Sequence, residues 1–133
     1  MRSAGRYRST ANARRVAIAT AYTDEVTERL KVFLQEYGFE VTAAKGLGFT
    51  QIPAGAATHD ILKLSTEAYA NSRKADAVVI SCGALKTIDL IVPVEDAVKV
   101  PVISSTPHGL WHCVKLLGVP AKVRGFGMVM AKG

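Results

Sequence analysis

Short apolar segments with the character of buried strands alternate along this chain with segments of helical periodicity, and this alternation constrains the fold more than any other feature. The strand-like segments are Val16–Ala19, Phe39–Ala43, Ala77–Ser81 and Val100–Ser104. Strands that alternate with helices form βαβ units, whose strands run parallel. The pattern therefore predicts an α/β fold, a Rossmann-like three-layer domain in which a four-stranded parallel sheet is flanked by helices.

Capping residues indicate where the helices between these strands begin and end. Thr23 stands before two acidic residues, as expected of a helix N-cap, and Gly38 follows the predicted helix as a C-terminal signal. Pro93 is expected to break or restart the third helix. Thr106 is expected to cap the last helix, with Pro107 at its first helical position.

The residues that directly follow each strand are the informative ones, because open parallel sheets bind ligands outside the carboxyl ends of their strands. These clusters are Thr20–Tyr22, Gly46–Gly48, Ser81–Gly83 and Ser104–Thr106. We expect residues 46–55 to form a loop. The clusters contain hydroxyls, one thiol and small residues that expose backbone N–H groups, but no concentration of charge. Such an edge does not suit a nucleotide phosphate or a divalent metal.

The length of 133 residues fits one domain of ordinary size. We divide the chain into an Arg-rich leader at residues 1–13, expected to be disordered, an α/β domain at 14–118 and a terminal segment at 119–133. The leader could alternatively bind phosphates or act as a transit peptide. The terminal segment is expected either to cross to another domain or to fray.

The net charge of +6 lies mostly at the N-terminus. Five of the 17 basic residues fall within residues 1–15, which contain no acid, so the other 118 residues carry 12 basic and 11 acidic side chains. A nearly neutral domain argues against a nucleic-acid partner. No apolar run reaches the roughly 18–20 residues of a membrane span. The two cysteines are too few for a disulfide framework, which favours a reducing compartment and a cytoplasmic protein.

Cys82 is the strongest single candidate for chemistry. It ends the most strand-like segment, and Gly83 after it lets backbone approach a ligand closely. The competing interpretation is a buried cysteine that fills core space. Tyr22 holds the equivalent place after the first strand, where it could equally pack its ring on a neighbouring helix. His108 and His112 have the spacing of metal ligands, but no carboxylate stands nearby in sequence, so we predict no metal site.

Several strings of residues resemble a known superfamily. The most specific are Arg15–Tyr22, Ser81–Leu85, Val100–Val102 and Ser104–Trp111. Over about residues 14–127 the chain resembles the aspartate/glutamate racemase superfamily, and within it most closely the arylmalonate decarboxylase family. The resemblance implies a cofactor-free enzyme of two similar halves with the substrate between them. This chain resembles the second half only.

The resemblance also implies roles for individual residues. Cys82 matches the acid that protonates a planar intermediate, and Tyr22 with the backbone of Cys82 and Gly83 matches an oxyanion-stabilising pocket. Ile52 and Gly55 fall where the family lines an apolar pocket beside the leaving carboxylate, and Gly55 replaces a bulkier residue there. The implied partners are a small-molecule dicarboxylate substrate and either the missing N-terminal half or a second copy in a homodimer.

Three functions follow as hypotheses. The first is cofactor-independent decarboxylation of arylmalonate-like diacids through an enediolate that Cys82 protonates. The second is a maleate isomerase or an aspartate/glutamate-type racemase, in which Cys82 acts as nucleophile or base. Gly83 favours the first over the second, since those relatives more often carry Thr or Asn there. The third is a non-catalytic fragment that binds carboxylates or a partner domain.

Overall fold

Four parallel strands form the centre of the computed structural model, which describes residues 13–51, 58–72, 74–81 and 86–133. The elements in chain order are β1 (Arg15–Tyr22), α1 (Asp24–Glu36), β2 (Glu40–Phe49), α2 (Thr58–Ala70), β3 (Ala77–Ser81), a 3-10 turn (Ile88–Leu90), α3 (Ile91–Val98), β4 (Val102–Ser104), α4 (Ser105–Leu116) and α5 (Met128–Lys132). Within the described residues the sheet order is β2-β1-β3-β4, with every pairing parallel. The predicted α/β fold is confirmed.

Successive side chains of β1 point to opposite faces of the sheet, and each face is covered by different helices. Ala17 and Ala21 belong to the larger core cluster, together with Ile61 of α2 and Val94 of α3. Val16 belongs to a second cluster on the other face, to which α1 contributes Leu34. Burying both faces accounts for the continuous apolar character of these strands, as expected for a parallel sheet between two helix layers.

The predicted helix boundaries hold at α1 and shift at α3 and α4. The Thr23 hydroxyl accepts from the Val26 N–H at 3.4 Å, and Gly38 after the helix has φ +87°, which confirms both signals. Pro93 does not break a helix, because α3 begins at Ile91 and the proline stands in its first turn, where no intrahelical N–H bond is lost. The start predicted for α4 was two residues late, since Ser104 is the N-cap.

The second strand is longer than its sequence predicts. We expected a strand that ends near Ala43 and a loop from Gly46, whereas β2 continues to Phe49. The reason is pairing with β1, which places Gly46 beside Thr20 and Phe49 beside Tyr22 across two register shifts. Residues 52–57 lie outside the described part of the chain.

The C-terminal segment packs back on its own domain. Val129 and Met130 of α5 are buried with Trp111 and Ala121, and the Trp111 Nε1–H donates to the Ala121 carbonyl at 2.6 Å. Met128 is anchored by the buried Glu95 carboxylate, which accepts its N–H at 3.0 Å. In the part of the chain that is described, no helix has the length and apolar character to cross a bilayer.

Candidate active site

The carboxyl ends of the strands meet at one edge of the sheet, as the sequence predicts. Thr20 near the end of β1 pairs with Gly46 on one side and with Ser81 on the other. Ile80 pairs with Ser104, so the end of β4 lies beside the end of β3. The described residues of all four predicted clusters are therefore brought together.

Of the candidate site residues, Tyr22 is described and half-buried at the end of β1. Cys82, Gly83, Ile52 and Gly55 lie outside the described residues. Their predicted roles thus remain predictions. Ser81, which precedes Cys82 in sequence, is the last residue of β3.

A chain of hydrogen bonds holds the backbone of Tyr22. Its N–H donates to the Thr20 Oγ1 at 3.2 Å, and that hydroxyl lies 2.7 Å from the Thr27 Oγ1. The Thr27 hydroxyl in turn donates to the Thr23 carbonyl at 2.9 Å. A hydroxyl has one hydrogen to give, so Thr20 must donate to Thr27. The bonds run in one direction from Tyr22 to Thr23 and fix the turn between β1 and α1.

Gly46 lets β2 approach this chain of bonds. A methyl group on Gly46 would stand 2.4 Å from the Tyr22 carbonyl oxygen, 2.7 Å from the Thr27 Oγ1 and 3.0 Å from the Thr20 Oγ1. All three distances are shorter than ordinary van der Waals contact, which begins at about 3.4 Å. Sequence reasoning placed Gly46 in a loop and did not single out Thr27. The sequence signal for Thr27 was a hydroxyl in the first turn of a helix that follows a strand end.

A second group of buried polar residues lies where β3 and β4 end. The hydroxyls of Thr87 and Ser104 are hydrogen-bonded to each other, and both side chains are buried. The Nδ1 of His108 faces the backbone of Ser104, 2.9 Å from its nitrogen and 3.1 Å from its carbonyl oxygen, and that imidazole is fully buried in the first turns of α4. Nδ1 accepts from the N–H in one neutral tautomer and donates to the carbonyl in the other.

The environment of His108 disfavours the charged form of its imidazole. Burial lowers the pKa of this imidazole from its ordinary value, and the backbone of Ser104 offsets part of that effect. Within the described ranges, no group of three or more His, Cys, Asp or Glu side chains is arranged to hold a metal.

The edge offers neutral hydrogen-bond donors to a bound anion. The Tyr22 phenol and the Ser81 hydroxyl stand at the ends of β1 and β3, and α4 begins directly after β4 with no acidic residue in its first turn. The N-terminus of a helix favours negative charge. The edge thus suits an organic carboxylate.

Comparison with known proteins agrees with this chemistry. A family model described as arylmalonate decarboxylase matches residues 6–130. The curated arylmalonate decarboxylase of Bordetella bronchiseptica is 44% identical over 117 residues, which are 86% of this chain and 49% of that protein. The chain therefore spans about half the length of that curated relative.

Solved structures show the same relationship. Unliganded arylmalonate decarboxylase superposes with a TM-score of 0.89 at 37% identity, over 98% of this chain and 57% of that one. A variant of the maleate isomerase from Pseudomonas putida S16, solved with maleate, has a TM-score of 0.79 at 26% identity, over 93% of this chain and 50% of that one.

Proposed function

This chain belongs to the arylmalonate decarboxylase family, and from that membership we propose that it supplies one half of an enzyme that decarboxylates arylmalonate-like diacids without a cofactor. The single observation that carries the proposal is the register of β1 on β3. In this register Thr20 of β1 pairs with Ser81 of β3. Tyr22 comes two residues after Thr20 in sequence, and Cys82 comes directly after Ser81. The predicted oxyanion donor and the predicted acid thus follow, in sequence, a pair of residues on adjacent strands.

The proposed chemistry needs few groups. Loss of CO2 from a malonate leaves an enediolate, whose negative oxygens require N–H and O–H donors held in place beforehand. The Tyr22 phenol and the backbone N–H groups of Cys82 and Gly83 fill that role in the proposal. Removing one such donor typically costs about 10²–10³-fold in rate.

The departing carboxylate is placed against apolar walls, where its charge is poorly solvated, and Ile52 and Gly55 belong to that wall. The Cys82 thiol then gives its proton to the planar carbon from one face, which sets the handedness of the product. Atoms balance, because the C–C bond electrons become the enediolate and the thiol proton becomes the new C–H. The thiolate regains a proton from solvent.

The complete site requires more than this chain. Since the relatives are about twice as long, we propose that the opposite wall comes from a first half-domain or from a second copy of this chain. A second copy would bring two Cys82 thiols to one cleft. Light scattering distinguishes the two sources, since a monomeric mass requires a separate half.

Decarboxylation of phenylmalonate by the chain, followed as release of phenylacetate, tests the reaction. We expect Cys82→Ser to abolish turnover and Cys113→Ser, a change at an exposed thiol on α4, to leave it unchanged. Equal rates in the chain and in Cys82→Ser would overturn the role of the thiol. Negligible rates in both, for a chain that light scattering shows to be a dimer, would leave the carboxylate-binding fragment as the function.

A second candidate is an isomerase or racemase, favoured by the structural likeness to a maleate isomerase. Turnover in deuterated water separates the two reactions. A decarboxylase labels its product once as CO2 leaves, whereas a racemase exchanges the α-proton of its substrate without releasing CO2.

A further inference from the structure

The face of α1 that points away from the sheet carries exposed apolar side chains. Val26, Val32 and Phe33 are each 40–44% exposed. A shallow depression of about 440 Å³ lies on this face and is lined by Glu25, Glu28, Arg29, Val32, Phe33 and Glu36. We call these six residues the α1 patch.

The α1 patch is acidic around an apolar floor. Three carboxylates stand against one guanidinium, which leaves an excess of two negative charges. Two of the carboxylates form ion pairs within the helix, Glu25 with Arg29 at 2.8 Å and Glu28 with Lys31 at 3.6 Å. The side chains of Glu25 and Arg29 are about three-quarters exposed to solvent. Exposed pairs within one helix contribute little, so these carboxylates can exchange partners at small cost. The α1 patch fits an extended cationic segment that also carries an aromatic side chain.

Residues 1–12 of this chain have that chemistry. They contain Arg2, Arg6 and Arg8 with Tyr7 between the last two, and no acidic residue. Guanidinium groups pair with carboxylates and stack on aromatic rings. The α1 patch offers both, since it contains three carboxylates and the ring of Phe33.

Connectivity brings the segment to the patch. Ala13, to which residues 1–12 are joined, is buried in a cluster with Leu34 and Tyr37 at the C-terminal end of α1. Twelve extended residues reach up to about 40 Å, whereas a helix of the length of α1 is only about 20 Å long. The segment can therefore run back along the whole helix. A tether this short gives an effective concentration on the order of millimolar, so weak contacts suffice.

We propose that residues 1–12 dock on the α1 patch, with their arginines on its carboxylates and Tyr7 over Val32 and Phe33. The segment is then an ordered strap, in place of the disordered leader that its composition predicts. The proposal does not depend on the decarboxylase reaction.

Chymotrypsin cleavage after Tyr7 tests the docking in the full chain. Each rate is divided by that of a free peptide with the same residues 1–12, which removes the effect of altered cleavage sequence. With three exposed ion pairs in place, we expect the chain to be cut roughly 3- to 30-fold more slowly than its peptide. Raising the salt to 0.5 M should remove most of this protection.

Charge reversal makes the test specific. Arg6→Glu with Arg8→Glu, or Glu28→Arg with Glu36→Arg, should each abolish the protection, and all four changes together should restore it. The matched control is Glu67→Arg, at an exposed position of α2, which should leave the protection unchanged.

Absence of protection in the unaltered chain, or protection that charge reversal does not change, would overturn the proposal. Protection that rises with protein concentration would also overturn it, because the occupant would then be the segment of a second copy. Circular dichroism of each variant confirms that the fold is intact.

Discussion

Replacing Gly46 by alanine tests whether close approach of β2 supports the turn that holds Tyr22. The added methyl would stand 2.4 Å from the Tyr22 carbonyl oxygen, and ordinary contact requires about 1 Å more. Two further oxygens, on Thr27 and Thr20, stand at 2.7 and 3.0 Å. Because the nearest atom is backbone, rotation of a side chain cannot relieve the contact, and either β2 or the turn must move.

Overpacking of this kind typically costs about 1–3 kcal/mol. In a domain of this size, we expect a fall in Tm of roughly 3–12 °C. The activity arm is steeper, since a displacement of about 1 Å in a catalytic group can cost on the order of 10²-fold in kcat. Under the proposed function, in which Tyr22 is an oxyanion donor, displacing this residue should lower the turnover of phenylmalonate by more than the loss of stability explains.

Urea unfolding followed by the fluorescence of Trp111 measures the stability effect. The matched control is Gly109→Ala, the same substitution inside α4, where a methyl meets nothing within 4 Å. Removing a helical glycine there should stabilise the protein by about 0.5–1 kcal/mol. Opposite signs at the two positions are the expected result. If Gly46→Ala proves as stable as the unaltered chain, the argument from close approach is wrong.

Three further changes probe the buried and charged groups. Glu95→Ala should lower the free energy of unfolding by about 2–4 kcal/mol, because two backbone N–H groups lose their acceptor, while Asp96→Ala at the exposed neighbour stays within about 0.5 kcal/mol. Hydrogen bonds from the N–H groups of Arg14 and Arg15 hold the pKa of Asp76 below its ordinary value. The contribution of this carboxylate to the stability of the fold is therefore present above about pH 4 and is lost as the pH falls further. Asp76→Asn should therefore flatten the loss of urea midpoint between pH 5 and pH 3, and an unchanged slope would contradict this. Burial lowers the pKa of His108, so stability should decline as the pH falls below about 6.5, where the unfolded chain gains a proton first. His108→Gln should weaken that decline between pH 7.5 and pH 5.5, and midpoints that keep the original slope would count against it.

Local patterns in the sequence determined the architecture and the edge of the sheet at which the candidate site lies. Strand-like runs separated by helical periodicity leave a parallel sheet as the arrangement that buries both faces, and a parallel sheet gathers its strand ends on one side. Thr23 and Gly38 were readable because capping depends on neighbours in the chain. The superfamily resemblance, confirmed by the family match, came from contiguous strings such as Arg15–Tyr22.

Contacts between distant residues were decided by the tertiary structure alone. Gly46 belongs to a strand because β1 pairs with it, and its lack of a side chain matters only because Thr20, Tyr22 and Thr27 lie against it. In the sequence Glu95 looks like an ordinary acidic residue of a helix. Only packing buries its carboxylate against the N–H groups of Val102 and Met128. Steric fit and the satisfaction of buried polar groups depend on which surfaces meet, and that is settled only when the helices close on the sheet.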